Sequence, residues 1–114
     1  MAIVNITAYN DADFNRTFIW KTVSGAAINL TGGTMEMMLR KRAEDQVALL
    51  RLATDTGEIT ILDAGAGRFA LRIAQYELER LDLGEFDQSN IFSKDGAKTR
   101  IWSGTFINKA GPTR

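Results

Sequence analysis

Apolar residues recur at every second position along most of this chain. The cleanest run is "RFALRI", where Phe69, Leu71 and Ile73 face one way and Arg68, Ala70 and Arg72 the other. "TMEMMLR" repeats the pattern, with Met35, Met37 and Leu39 opposite Glu36, Met38 and Arg40. In "DFNRTFIWK", Phe14, Phe18 and Trp20 share a face interrupted only by Arg16. "VALLRLA" is apolar on both faces except at Arg51, "GEITIL" places Ile59 and Ile61 together, and "KTRIWSGTFIN" is a long β-branched and aromatic run. These periods predict strands, with Phe18, Trp20, Leu30, Met37, Leu39, Phe69, Leu71 and Ile73 in the core.

Turn residues punctuate the runs: Ser24-Gly25, Gly32-Gly33, Asp55-Thr56-Gly57, "DAGAG" at 63–67 and "KDGA" at 94–97. The segment from Ile59 to Ile73 reads as a hairpin around its glycine loop. Only "AQYELERLD" has a helical pattern, and it is barely two turns long. Seven or eight short strands with one short helix near 75–82 describe an all-β sandwich. At 114 residues, the whole chain 1–114 reads as a single domain.

Composition narrows the chemistry. Lys+Arg and Asp+Glu both number 14, so the chain lacks the basic excess a nucleic-acid binder uses to displace counterions. Cysteine and histidine are absent, which excludes disulfides, thiolate or imidazole zinc sites, cysteine nucleophiles and histidine-based triads. The start "MAIVNITAYN" has no basic segment before an apolar run, unlike an ordinary signal peptide. No apolar run reaches the roughly 18 residues that span a bilayer. The expectation is a soluble chain made in the cytosol.

Local motifs resolve into turns. "GAGRFA" matches a dinucleotide fingerprint, but that loop must open a helix and here a strand pattern follows. "DADFNR" begins like a calcium loop, yet Arg16 stands where glycine is required and Thr22 where the bidentate glutamate is required. Three N-x-T triplets, at Asn5, Asn15 and Asn29, accept glycans only in a secretory lumen. Asp82, Glu85 and Asp87 surround Gly84 as a polar turn would, and "RKR" at 40–42 runs directly into Glu44 and Asp45. The expectation is a non-enzyme with no cofactor and no metal. Met38 is the residue out of pattern, an apolar side chain on the face of Glu36 and Arg40.

Read in order, "FNRTFIWKTVSGAAINLTGGTMEMMLRKR", "LLRLAT", "GEITILDAGAGRFALRIAQYELERL", "DLGEFD", "KDG" and "SGTF" resemble small phage and prophage tail proteins. They are similar to the immunoglobulin-like domain at the N-terminus of phage baseplate upper proteins. Leu30, Thr31, Gly32 and Thr34 match that family's "D-L-T-G-x-T", with Asn29 in place of its Asp. Gln88, Ser89 and Asn90 stand where the family is more continuously apolar. The resemblance implies an immunoglobulin-like antiparallel β-sandwich in a virion tail, made in the bacterial cytoplasm, without catalytic residues. It also implies that "INLTGGT" is a structural corner. Gly25, Gly32 and Gly33 would turn the chain, Leu30 would plug the core, and Thr31 and Thr34 would satisfy local backbone groups.

The functional expectation is therefore a structural or assembly protein of a tail, at the baseplate or fibre attachment. Its partners would be other tail proteins or further copies of itself, with no nucleic acid and no membrane. Glu36, Met38, Arg40 and Trp102 are the candidate contact residues, and the "EITI" and "TFIN" runs the least guarded edges. The alternative is a carbohydrate-binding sandwich in host recognition, which would stack sugars on exposed Trp20, Tyr76 or Trp102.

Overall fold

In the computed structural model, which describes residues 2–113, the alternating runs form two sheets facing each other across one hydrophobic core. The strands are β1 (Ala2–Ile3), β2 (Ile6–Tyr9), β3 (Phe14–Ile19), β4 (Thr34–Arg40), β5 (Leu50–Ala53), β6 (Ile59–Asp63), β7 (Arg68–Ile73), β8 (Gly84–Lys94) and β9 (Ala97–Lys109). The helix α1 (Gln75–Arg80) lies within the span expected for it. The larger sheet runs β1-β9-β8-β4-β5, with β2 following β1 along the same side of β9; the smaller sheet is β3-β7-β6.

Burial follows the sequence alternation closely on β4 and β7. On β4, Met35, Met37 and Leu39 are buried; on β7, Phe69, Leu71 and Ile73 are buried. The hairpin β6–β7 forms around the "DAGAG" loop as expected. Phe18 and Trp20 differ from expectation, being half-buried at the margin of the core, because β3 is an edge strand. There, the Arg16 guanidinium carbon lies 4.9 Å from the centre of the Phe18 ring, a cation over the aromatic face at the margin of the core.

Three expectations are corrected. The described residues form nine strands rather than seven or eight, because the N-terminal residues add β1 and β2. The sandwich is not wholly antiparallel: β1 and β2 pair parallel to β9, with Ala2 opposite Trp102 and Ile6 opposite Phe106. The "TFIN" run is consequently no edge, since β2 covers one side of it and β8 the other; "EITI" on β6 is an edge. Two strands are also long, β8 with 11 residues and β9 with 13.

Buried polar side chains fasten the N-terminal strand and the helix to this frame. Gln88 Nε2 donates to the Val4 carbonyl at 2.7 Å, and its Oε1 accepts from Trp102 Nε1 at 2.8 Å. Asn108 Nδ2 donates to the Leu78 carbonyl at 2.8 Å and to that of Leu81 at 3.2 Å, pinning the end of α1. Asn10 Oδ1 accepts from the Gly111 amide at 2.8 Å. Such bonds offset the cost of taking amides out of water.

The corner at Asn29–Thr34 is built from backbone angles and one carboxamide. Leu30 is fully buried, and its amide donates to the Ala64 carbonyl at 2.8 Å. Gly25 turns the preceding loop and Gly32 turns the corner, with φ of 91° and 79°. Gly33 serves a different purpose: a side chain there would collide with the Phe92 ring. The local bonding is supplied by Asn29, whose Oδ1 accepts from the Thr31 amide at 2.9 Å and the Thr31 hydroxyl at 2.6 Å. Thr31 is thus a donor to that side chain, and Thr34, exposed at the start of β4, caps no backbone group among the described residues. Gly32→Val is expected to cost about 1–3 kcal/mol, the strain of a branched side chain at positive φ. A chemical melt unchanged by that substitution would contradict the corner.

Candidate partner-contact face

The outward surface of the larger sheet is assembled in rows by the register of three strands. Arg40 on β4 stands opposite Asp87 on β8, which stands opposite Thr105 on β9. The next row is Met38, Ser89 and Ser103, and the one after it Glu36, Ile91 and Arg100. Ser89, Ser103 and the nearby Gly104 are small, whereas Met38, Arg40, Ile91 and Arg100 are long. A sheet face with a small centre and tall margins is concave, and a groove of about 530 Å³ lies here.

Each charge in the groove has a definite setting. Glu36 Oε2 accepts from Arg51 Nε at 2.5 Å, and Arg51 Nη2 lies 3.2 Å from Asp55 Oδ1. The hydrogen bond to Glu36 raises the Arg51 pKa above its usual value, against the opposing effect of desolvation. Arg40 Nη1 donates to the Gln46 carbonyl at 3.0 Å, while Nη2 lies 3.5 Å from Met38 Sδ, bracing that side chain. Asp87 Oδ2 accepts from the Ala43 amide at 2.9 Å and holds the β4–β5 loop at the rim. Arg100 is exposed and makes no ion pair among the described residues.

Three of the four expected contact residues, Glu36, Met38 and Arg40, come together in this groove. Trp102 does not. It is 3% exposed and sits between the sheets, its ring centroid 4.7 Å from that of Phe18 and 5.8 Å from that of Phe69. Trp102 follows the alternation of the buried Phe106, four positions on, and a β-bulge then changes the facing of the residues before it. Asn90 pairs with Trp102 and Ile91 with Arg100, so Ile101 is the extra residue and the alternation of β9 shifts by one. Arg100 therefore points outward while both Ile101 and Trp102 are buried. Trp20 is half-buried, its ring centroid 5.6 Å from that of Phe92, and Tyr76 is exposed on α1, away from the groove.

Ser89, Ile91, Arg100, Ser103 and Thr105 escape sequence reasoning because their placement depends on the β8–β9 register. Asp87 was visible as one of three nearby carboxylates, but as part of a turn. Glu85 and Asp87 instead project from β8 at alternate positions. Among the described residues no three acidic side chains converge as a metal site, and no helix is long and apolar enough to cross a membrane.

No family model matches this chain, and no curated protein matches it. Among solved structures it is similar to the N-terminal domain of phage TP901-1 ORF48, with a TM-score of 0.46 and 18% identity, covering 96% of this chain and 84% of that one.

Proposed function

We propose that this chain is a non-enzymatic structural module of a phage or prophage tail, at the baseplate or fibre attachment. It acts through protein–protein contacts on the outer face of its larger sheet. The observation that carries the contact reading is the groove, in which Met38 and Ile91 stand beside the small Ser89 and Ser103 together with Glu36, Arg40, Asp87 and Arg100. A concave face that mixes apolar and charged side chains suits a protein partner, and methionine and arginine are enriched at such interfaces. The tail assignment is supported by the ordered sequence resemblance described above. Carbohydrate recognition has less support here, because sugar stacking needs an exposed ring and the groove is lined by no aromatic residue.

Met38→Lys tests the reading, since a half-buried position on an outer sheet face accommodates lysine without opening the core. With tail proteins co-expressed, the wild type is expected to co-purify with one of them. The variant is expected to lose that partner with an unchanged melting temperature. A variant that retains the same partner at wild-type yield would remove the groove from the interface. Glycan binding without any protein partner would replace the reading.

A further inference from the structure

We propose that the outer face of the larger sheet pairs with the same face of a second copy, strands opposed, about a two-fold axis at the Ser89 row. The proposal rests on the reading of this face as a contact surface and specifies what covers it.

The order of charges along the rows specifies it. Proceeding up β8, the outward rows are Glu85 with Ile107, then Asp87 with Arg40 and Thr105, then Ser89 with Met38 and Ser103. Beyond these come Ile91 with Glu36 and Arg100, and Ser93 with Thr34 and Lys98. Ser89 is the middle row. Carboxylates project from β8 on one side of it, and cations project from β9 on the other.

Reversing a second copy over this face sets each row against its opposite. Glu36 meets Arg40 on β4; on β8 Asp87 meets Ile91 and Glu85 meets Ser93, so the partner's Arg100 and Lys98 on β9 approach Asp87 and Glu85 diagonally, one strand spacing away. Symmetry makes each approach occur twice. The Met38–Ser89–Ser103 row meets itself, so the apolar and small side chains gather at the centre. Stacking with the strands in the same direction would instead put Asp87 on Asp87 and Glu85 on Glu85, a costly like-charge arrangement. Within one copy, the side chains of Glu85, Lys98 and Arg100 make no ion pair among the described residues. They are available for an outside partner.

The dimensions agree. Eight residues separate Glu85 from Ser93, about 27 Å of strand, and five strand positions span about 24 Å. Two such faces bury on the order of 1,300 Å² in total, within the range of specific interfaces. An isologous two-fold contact also closes on itself and stops at two copies.

Sedimentation and light scattering across concentration supply the first test, with a dimer expected as the end point. Glu85→Lys and Lys98→Glu should each weaken dimerisation by at least about tenfold, and the double variant should recover most of it. Ser89→Cys supplies the second, because the natural chain has no cysteine and the new thiol is the sole one. Stacked sheets lie about 10 Å apart, too far for a disulfide, so a short bis-maleimide is the linker. It should join Ser89→Cys chains in pairs and leave Ser93→Cys chains single, their thiols being about 27 Å apart along the strands.

A wild type that stays monomeric at millimolar concentration overturns the dimer. So does linkage of Ser93→Cys in preference to Ser89→Cys, or growth beyond two copies. A second copy and a tail protein would compete for this face: a wild type that stays monomeric but loses its tail partner on Met38→Lys removes the dimer and keeps the contact face, whereas retention of the tail partner by Met38→Lys removes the contact face itself.

Discussion

Leu71→Ala is expected to lower the free energy of unfolding by about 2–5 kcal/mol, the range for truncating a large buried aliphatic side chain. Leu71 lies on β7, the middle strand of the smaller sheet, opposite Arg16 of β3 on one side and Ile59 of β6 on the other. It is 1% exposed and belongs to the same core cluster as Phe69, Met37 and Leu39. The loss combines the transfer energy of the missing carbons with the dispersion contacts forfeited around the space they leave. The neighbouring Arg72 is an exposed control. Its only ion pair among the described residues is at 3.4 Å, to Asp13, and exposed pairs contribute little. Denaturant titration of both alanine variants makes the comparison. A loss under about 0.5 kcal/mol at Leu71 would take "RFALRI" out of the core.

Gly104→Val should be comparably severe, through a different cause. The N-terminal strand passes so close to β9 that a side chain at Gly104 would occupy the space of the Val4 carbonyl oxygen and lie 2.8 Å from Asn5 Oδ1. Those groups are already committed: Val4 O accepts from Gln88, and Asn5 Oδ1 accepts from the Thr105 amide at 3.1 Å. Valine must push β1 and β2 away from β9. The displaced strand would expose Ile6 and Ala8, which are 1% and 3% exposed in the native fold. Overpacking and lost burial together set the cost at about 3 kcal/mol or more. Hydrogen exchange localises it: amides of β2 should lose protection while those of β7 keep theirs. Unaltered protection across residues 6–9 would contradict the close approach.

The parts of the fold that were legible in sequence are those whose burial follows strict alternation. β4 and β7 are examples, because each residue's face is decided by its neighbours two positions away. β8 was illegible for a physical reason. Its inward positions include Gln88 and Asn90, and polar residues there are costly unless partners arrive from elsewhere in the chain. Gln88 finds such partners in Val4 and Trp102, neither predictable from local pattern. The bulge at Ile101 had no sequence signal either, and it turns Arg100 outward although Trp102, two positions on, is buried. Met38 was legible because it violates a local pattern. Ile91 and Arg100 complete its surroundings only once the β8–β9 register is known, so the groove emerged from one anomalous residue and a pairing invisible in sequence.

The parallel seam between the N-terminal strand and β9 also bears on how the protein carries load. Tension applied through Ala2 and Lys109 in opposite directions runs along this seam, because the two strands point the same way. The backbone bonds from Ile6 to Tyr9 would be stretched together in shear, rather than opened one after another as in a peeled hairpin. Gln88 adds a side-chain rivet at Val4, and Asn5 another at Thr105. Failure then requires several bonds to break at once while Ile6 and Ala8 leave the core. Resistance to pulling is governed by the rate of that step rather than by overall stability, so a pull along this seam should meet more resistance than one that peels a hairpin.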